Sequence, residues 1–136
     1  MRKRGILAAL VLFSSACAGP ADSSHLAEST WKFVSIDGEE PASQSAELTF
    51  ERAQLDATVG CNALGGPWRT EADRLIAGPL EQTEMVCEGP VWGQEKAVGA
   101  LLAATPKYEV EGNRMVLRSS GHIAELTREE EPGPGG

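Results

Sequence analysis

Turn-forming pairs and triplets recur along this chain at intervals too short for a bundle of helices. Asp37-Gly38, Gly60-Cys61-Asn62, Gly65-Gly66-Pro67, Ala72-Asp73, Gly112-Asn113 and Ser120-Gly121 break it into short segments. Gly, Asn and Asp tolerate the positive φ of tight reversals, and Pro removes a ladder donor. The segments between are rich in strand formers and alternate apolar with polar residues, the period of a half-buried strand. Trp31 to Ile36, Glu47 to Glu51 and Gln54 to Val59 read this way, and Gly65-Gly66-Pro67 then forces a loop. Trp68 to Glu71, Leu75 to Ile76 and Leu80 to Thr83 are shorter candidates. Tyr108 to Val110, Met115 to Leu117 and Ile123 to Leu126 make two closing hairpins. One stretch changes period. Val91, Trp92, Glu95, Val98, Leu101 and Leu102 recur at helical spacing behind Gly89-Pro90, and Thr105-Pro106 ends the run. The pattern predicts a mainly β domain, α+β by count. An antiparallel sheet curls into a partial β-barrel, with one helix packed against an open side or end.

The chain has 136 residues, enough for one domain. Aromatic residues make up only 5%, so Trp31, Phe33, Phe50, Trp68, Trp92 and Tyr108 are expected to anchor the core. The formal charge is −8, and three of the 12 basic residues, Arg2, Lys3 and Arg4, sit at the extreme N-terminus. Without them 9 basic residues face 20 acidic ones, a charge of −11. That balance excludes a nucleic-acid surface, which must be basic, and adhesion to anionic lipid by charge alone.

Residues 1–16 are laid out as a signal peptide. A basic head is followed by an apolar run from Gly5 to Phe13, too short for a permanent span, then by Ser14-Ser15-Ala16. Small residues before Cys17 resemble the bacterial lipobox, although Ser14 stands where that motif usually has Leu. The resemblance implies cleavage before Cys17 and lipidation of its thiol with palmitate-type chains, two or three of which anchor stably. The alternative is ordinary cleavage with Cys17 unmodified. Ala18, not Asp, follows the cysteine, which implies outer-membrane sorting if the cell is Gram-negative. Residues 17–27 then read as the lipidated cysteine and a flexible tether, residues 28–128 as the domain, and residues 129–136, without an apolar side chain, as a disordered tail.

With Cys17 committed to lipid, Cys61 and Cys87 remain as an even pair in an oxidising compartment. A disulfide between them would close a loop of about 26 residues and stabilise by about 3–4 kcal/mol. Two separate buried thiols are the alternative. No CxxC is present, and His25 and His122 are isolated, so neither a metal site nor a cysteine nucleophile is predicted. Gly60, Gly65 and Gly66 lack the lysine of a phosphate loop. The acidic residues lack calcium-loop spacing.

Trp31 on the first strand is followed by Gly60-Cys61-Asn62, Gly65-Gly66, an aromatic at Trp68, and Thr83-Glu84-Met85-Val86-Cys87. A helix carrying Glu95 follows, and strands around Tyr108, Leu117 and Leu126 close the chain. This order resembles the META domain, the family of HslJ-like heat-shock proteins, over about residues 27–128. Trp68 stands where tyrosine is common. Glu84 stands where arginine is common, so any role needing a cation there lacks its group. The resemblance implies a barrel-like β fold, an envelope location, links to stress and antibiotic tolerance, and no agreed reaction.

Glu95 shares a helical face with Val91, Val98 and Leu102. An acid on an apolar stripe must find partners or stay protonated. Thr83 and Asn62 would supply them if the Cys61–Cys87 bridge joined their loops, making a clasp between helix and sheet. A carboxylate in a binding or general-acid cleft is the competing reading. Trp68 is expected in packing, with ligand stacking as the alternative if it is exposed. No catalytic constellation assembles and no cofactor is called for. The sequence therefore predicts a non-enzymatic envelope lipoprotein, held to the membrane by its lipid anchor and contacting an envelope protein. The alternatives are a binder of a small apolar ligand, marked by an apolar cavity near Trp68 or Trp92, and an inhibitor of an envelope hydrolase presenting the loop from Asn62 to Trp68.

Overall fold

The computed structural model describes residues 26–119 and 121–129. The signal peptide, Cys17, most of the tether and residues 130–136 of the tail lie outside the described residues.

The strands are β1 (Ser29–Ile36), β2 (Glu47–Phe50), β3 (Gln54–Thr58), β4 (Ala63–Glu71), β5 (Arg74–Ala77), β6 (Glu81–Gln82), β7 (Lys107–Glu111), β8 (Arg114–Arg118) and β9 (Ile123–Arg128). One helix, α1 (Pro90–Ala103), lies between β6 and β7. Every pairing is antiparallel, in the order β3-β2-β1-β9-β8-β7-β5-β4-β6, and β3 also pairs with β4. Eight strands thus close into a barrel, which leaves no long free edge, and β6 hangs on β4 beside β5. The closure is complete where the turn pattern predicted only a partial barrel.

Local chemistry sets the elements. Asp37 (φ 51°) and Gly38 (φ 81°) both take positive φ, and Ile36 pairs with Glu39 across them, as a two-residue hairpin of Asp-Gly type requires. In β1 the inward positions are Ser29, Trp31 and Phe33. A bulge between Phe33 and Ser35 then resets the phase so that Ile36 faces inward. Trp31, Leu48, Phe50, Leu55, Ala57, Leu75, Met115, Leu117, Ala124 and Leu126 fill the barrel. Val98, Leu101 and Leu102 of α1 join the same core, and the helix packs against β5 and β1. Pro90 occupies the first turn of α1, where its missing N–H is harmless.

Three expectations are corrected. Gly65-Gly66-Pro67 is not a loop but the middle of β4, a nine-residue strand paired with β3 on one edge and with β6 and β5 on the other. The glycines are there for close approach. A Cβ on Gly66 would lie 2.5 Å from the Pro79 carbonyl oxygen, and one on Gly65 would lie 2.7 Å from Asp56 Oδ1. Pro67 falls at the end of the β3 ladder, and its carbonyl accepts the Gly78 N–H at 2.8 Å. Leu26, read as tether, is buried in the core and its carbonyl accepts the Ser29 hydroxyl. Trp92, read as a core anchor, is 40% exposed.

Candidate functional site

Glu95, Asn62 and the Cys61–Cys87 disulfide meet where the N-terminal half of α1 crosses the start of β4. The chain leaves β3 through Val59 and Gly60, whose φ of 136° suits glycine, and reaches Cys61. The two half-buried cysteines have Cα atoms 6.1 Å apart, within the normal span of such a bridge. Asn62 is buried and links both sides. Its Oδ1 accepts the Met85 N–H at 2.7 Å and the Thr83 hydroxyl at 2.9 Å. Its Nδ2 donates to the Met85 carbonyl at 3.2 Å and to Cys87 Sγ at 3.2 Å. Thr83 Oγ1 in turn accepts the Ala63 N–H at 3.0 Å. Glu95 is 2% exposed, and its Oε1 accepts the Asn62 N–H at 3.1 Å and Gln82 Nε2 at 3.1 Å. Its Oε2 lies 3.4 Å from Cys87 Sγ.

The structure therefore brings Asn62, Thr83, Glu95 and both cysteines together. Thr83 reaches Glu95 only through Asn62, and Asn62 meets the carboxyl with its backbone rather than its amide. Gln82, a donor to that carboxyl, was not singled out in the sequence. Its signal was faint: one polar residue in a two-residue strand. Trp68 does not belong to the cluster. It stands edge-on to Phe50 at 4.9 Å between ring centroids and donates Nε1–H to the Glu51 carbonyl at 2.9 Å. The neighbouring Gln94 was also missed. Its side chain accepts the Ala42 N–H at 2.7 Å and donates to the Glu40 carbonyl at 2.8 Å, tying α1 to the segment between β1 and β2.

Outside this clasp the segment after β6 lies at the surface without regular structure. Met85 is 54% exposed, Val86 91%, and Trp92 faces solvent beside them with Lys96 Nζ 4.6 Å from its ring centroid. A cleft of about 470 Å³ is lined by Asn62, Gln82, Met85, Val86, Cys87 and Trp92. Glu81, Glu84 and Glu88 are exposed along the same segment. A second open groove of about 590 Å³ follows β4 past Gly65 and Gly66 and is flanked by Asp56 and Glu81. Trp68 is buried against Phe50, so of the two places named for a small apolar ligand only the one beside Trp92 has a cleft described at it. The inhibitor reading loses its loop as well, because Ala63 to Glu71 is strand.

Ligand atoms of Cys61, Cys87 and Glu95 lie within 4.8 Å of one another, but sulfurs joined to each other offer no thiolate to a metal. His122 sits on another face, its Nδ1 2.8 Å from Asp37 Oδ2. Burial is the largest single influence on the Asp37 carboxyl and pushes its pKa up. The hydrogen bonds from His122 and the Ile123 N–H, together with the His122 charge, outweigh it and hold the group below the usual carboxylate range. His25 lies outside the described residues. Among the described residues no helix is long and apolar enough to cross a membrane.

A closed eight-stranded antiparallel barrel, with one helix pinned to it through a disulfide-supported polar clasp, defines the class of this protein. The META domain profile matches residues 24–131, most of the chain, and the protein belongs to the META domain family. Among solved structures, one determined by NMR matches with a TM-score of 0.70 at 16% identity, covering 78% of this chain and 93% of its own. A second, an NMR structure of a protein from Burkholderia xenovorans, has a TM-score of 0.66 at 22% identity, covering 83% of this chain and 90% of its own. At these identities the likeness is one of fold. No curated protein matches the chain.

Proposed function

We propose that the protein is a non-enzymatic, envelope-anchored lipoprotein whose META domain docks a partner protein through the face formed by Met85, Val86 and Trp92. The observation that carries this reading is the exposure of three large apolar side chains, Met85 and Val86 on a segment pinned by the Cys61–Cys87 bridge and the Asn62 hydrogen bonds and Trp92 on α1 beside it. Exposed apolar area beside a polar rim is characteristic of interaction sites, and a pinned segment loses little entropy on binding. The rim of Glu81, Glu84 and Glu88 selects a partner that presents an apolar side chain ringed by Lys or Arg. Anchorage rests on the signal-peptide pattern and Cys17, as does location in the envelope, at the outer membrane in a Gram-negative cell. A link to stress rests on the family resemblance alone.

The test isolates the tagged full chain from membranes and identifies what co-purifies, beside Val86→Asp and, as a surface control, Val34→Asp. The expected result is an envelope protein enriched with wild type and Val34→Asp and lost with Val86→Asp. The intact mass of the same sample should begin at Cys17 and carry acyl chains. Equal recovery by all three would overturn the docking face, and an unacylated mass would overturn the anchor. The cleft beside Trp92 favours one second reading, a small apolar ligand held there. It would appear as a bound mass in native spectra that Trp92→Ala abolishes.

A further inference from the structure

Three side chains of metal-ligating type converge on the clasp. One ligand atom each from Cys61, Cys87 and Glu95 lies within 4.8 Å of the other two. They come from the loop before β4, the segment before α1 and α1 itself. A tetrahedral zinc ion, with Zn–S of about 2.3 Å and Zn–O of about 2.0 Å, sets a sulfur and an oxygen ligand about 3.5 Å apart. Glu95 Oε2 already lies 3.4 Å from Cys87 Sγ. Two thiolates on such an ion stand about 3.8 Å apart. With the bridge open and the Cα atoms 6.1 Å apart, rotation of the two side chains can supply that separation. The supporting groups are also in place. The Asn62 N–H and Gln82 Nε2 hold Oε1 and so leave Oε2 towards the sulfur. Asn62 Nδ2, 3.2 Å from Cys87 Sγ, is a donor that favours a thiolate there.

From this arrangement we infer that the dithiol form of the clasp is a binding site for a zinc-class divalent cation, with Cys61 Sγ, Cys87 Sγ and Glu95 Oε2 as its ligands. The fourth position opens into the cleft lined by Cys87, Met85, Val86 and Trp92, which is also the ion's way in. Two sulfurs and a carboxylate oxygen suit zinc, whereas calcium and magnesium take oxygen ligands. Three protein ligands with one open position are the pattern of zinc sites that keep an exchangeable ligand.

The site exists only after reduction. Two external thiols open the bridge: they give up two electrons and two protons and leave as one disulfide, and Cys61 and Cys87 become thiols. The divalent ion then displaces the two thiol protons into solvent. Once bound, it ties the same two segments that the disulfide had tied. This inference stands apart from the docking reading, since metal binding is measured on the protein alone.

The experiment titrates Co2+, a spectroscopic stand-in for Zn2+, into the full chain reduced with a phosphine. Wild type is expected to develop a thiolate-to-cobalt charge-transfer band and the intense visible bands of a tetrahedral ion, both bleached by stoichiometric Zn2+. Cys61→Ser and Cys87→Ser, which both keep Cys17, are each expected to lose the tetrahedral spectrum. Glu95→Gln keeps an acceptor for Asn62 and Gln82 but replaces the anionic ligand. It is expected to retain the charge-transfer band and to bind Co2+ at least about tenfold more weakly. Reduced wild type without either feature at saturating Co2+, whether or not circular dichroism shows it folded, would overturn the site. So would the wild-type spectrum in Cys87→Ser or in the unreduced protein. Wild-type affinity in Glu95→Gln would remove Glu95 from the ligand set.

Discussion

Gly65 and Gly66 sit side by side in β4, yet their missing side chains matter differently. A methyl on Gly66 meets backbone, the Pro79 carbonyl oxygen at 2.5 Å, and neither β4 nor the short link between β5 and β6 that carries Pro79 can retreat without disturbing the ladders that β5 and β6 make with β4. A methyl on Gly65 meets Asp56 Oδ1 at 2.7 Å, the tip of an exposed side chain that can swing away. Gly66→Ala should therefore cost about 2–3 kcal/mol, as over-packing does. Gly65→Ala should stay within about 1 kcal/mol, because the lower chain entropy of alanine offsets part of the contact. Urea melts of the two variants check this, and equal losses would mean that the close approach at Pro79 is unimportant. At this scale sequence reading did well with Asp37-Gly38, whose reversal depends only on local φ preferences. It failed with Gly65-Gly66-Pro67, where the need for glycine comes from a segment more than ten residues away.

At the scale of elements, α1 is attached by two polar side chains as well as by its apolar stripe. Gln94 grips the segment before β2, and Glu95 grips the junction of β4 and β6. Glu95→Ala would leave the Asn62 N–H and the Gln82 amide facing a cavity. The expected loss is about 2–3 kcal/mol, the cost of stranding buried donors, seen as a lower urea midpoint with an unchanged slope. Unchanged stability would sink the clasp. The helix itself was readable from its 3.6-residue period, with Pro90 at its start and Thr105-Pro106 at its end. So was the anomaly of an acid on its buried face. Which partners it meets was only half readable. Asn62 followed from supposing the bridge, and Thr83, expected with it, bonds Asn62 rather than the carboxyl; Gln82 arrives through the pairing of β6 with β4, and two residues carry no periodicity.

On the scale of the whole molecule, the barrel has one weak seam. Between β5 and β7 the ladder has a single register pair, Arg74 with Lys107, supported by the Leu75 N–H to Pro106 carbonyl and Tyr108 N–H to Asp73 carbonyl bonds at 2.9 Å each. α1 enters the chain between β6 and β7, so β5 and β7 are neighbours in space and not in sequence. Local opening follows low contact density, so the amides of Leu75 and Tyr108 should exchange before those of β1 and β9, whose mutual ladder runs from Trp31–Arg128 to Ile36–Ala124. Hydrogen exchange read residue by residue tests this; a seam in the slowest class would contradict it.

Local preferences in the sequence were enough to predict short antiparallel strands, one helix and the acid on the helical stripe, and the cysteine count favoured a Cys61–Cys87 bridge over two separate thiols. Period, turn chemistry and cysteine count act over a few residues or over composition, and these are written into the chain. Closure of the sheet, the burial of Leu26, the exposure of Trp92 and the direction in which Glu95 Oε2 points were decided only in three dimensions. Each depends on which distant segment occupies the neighbouring space, and that is a property of packing rather than of any one stretch of residues.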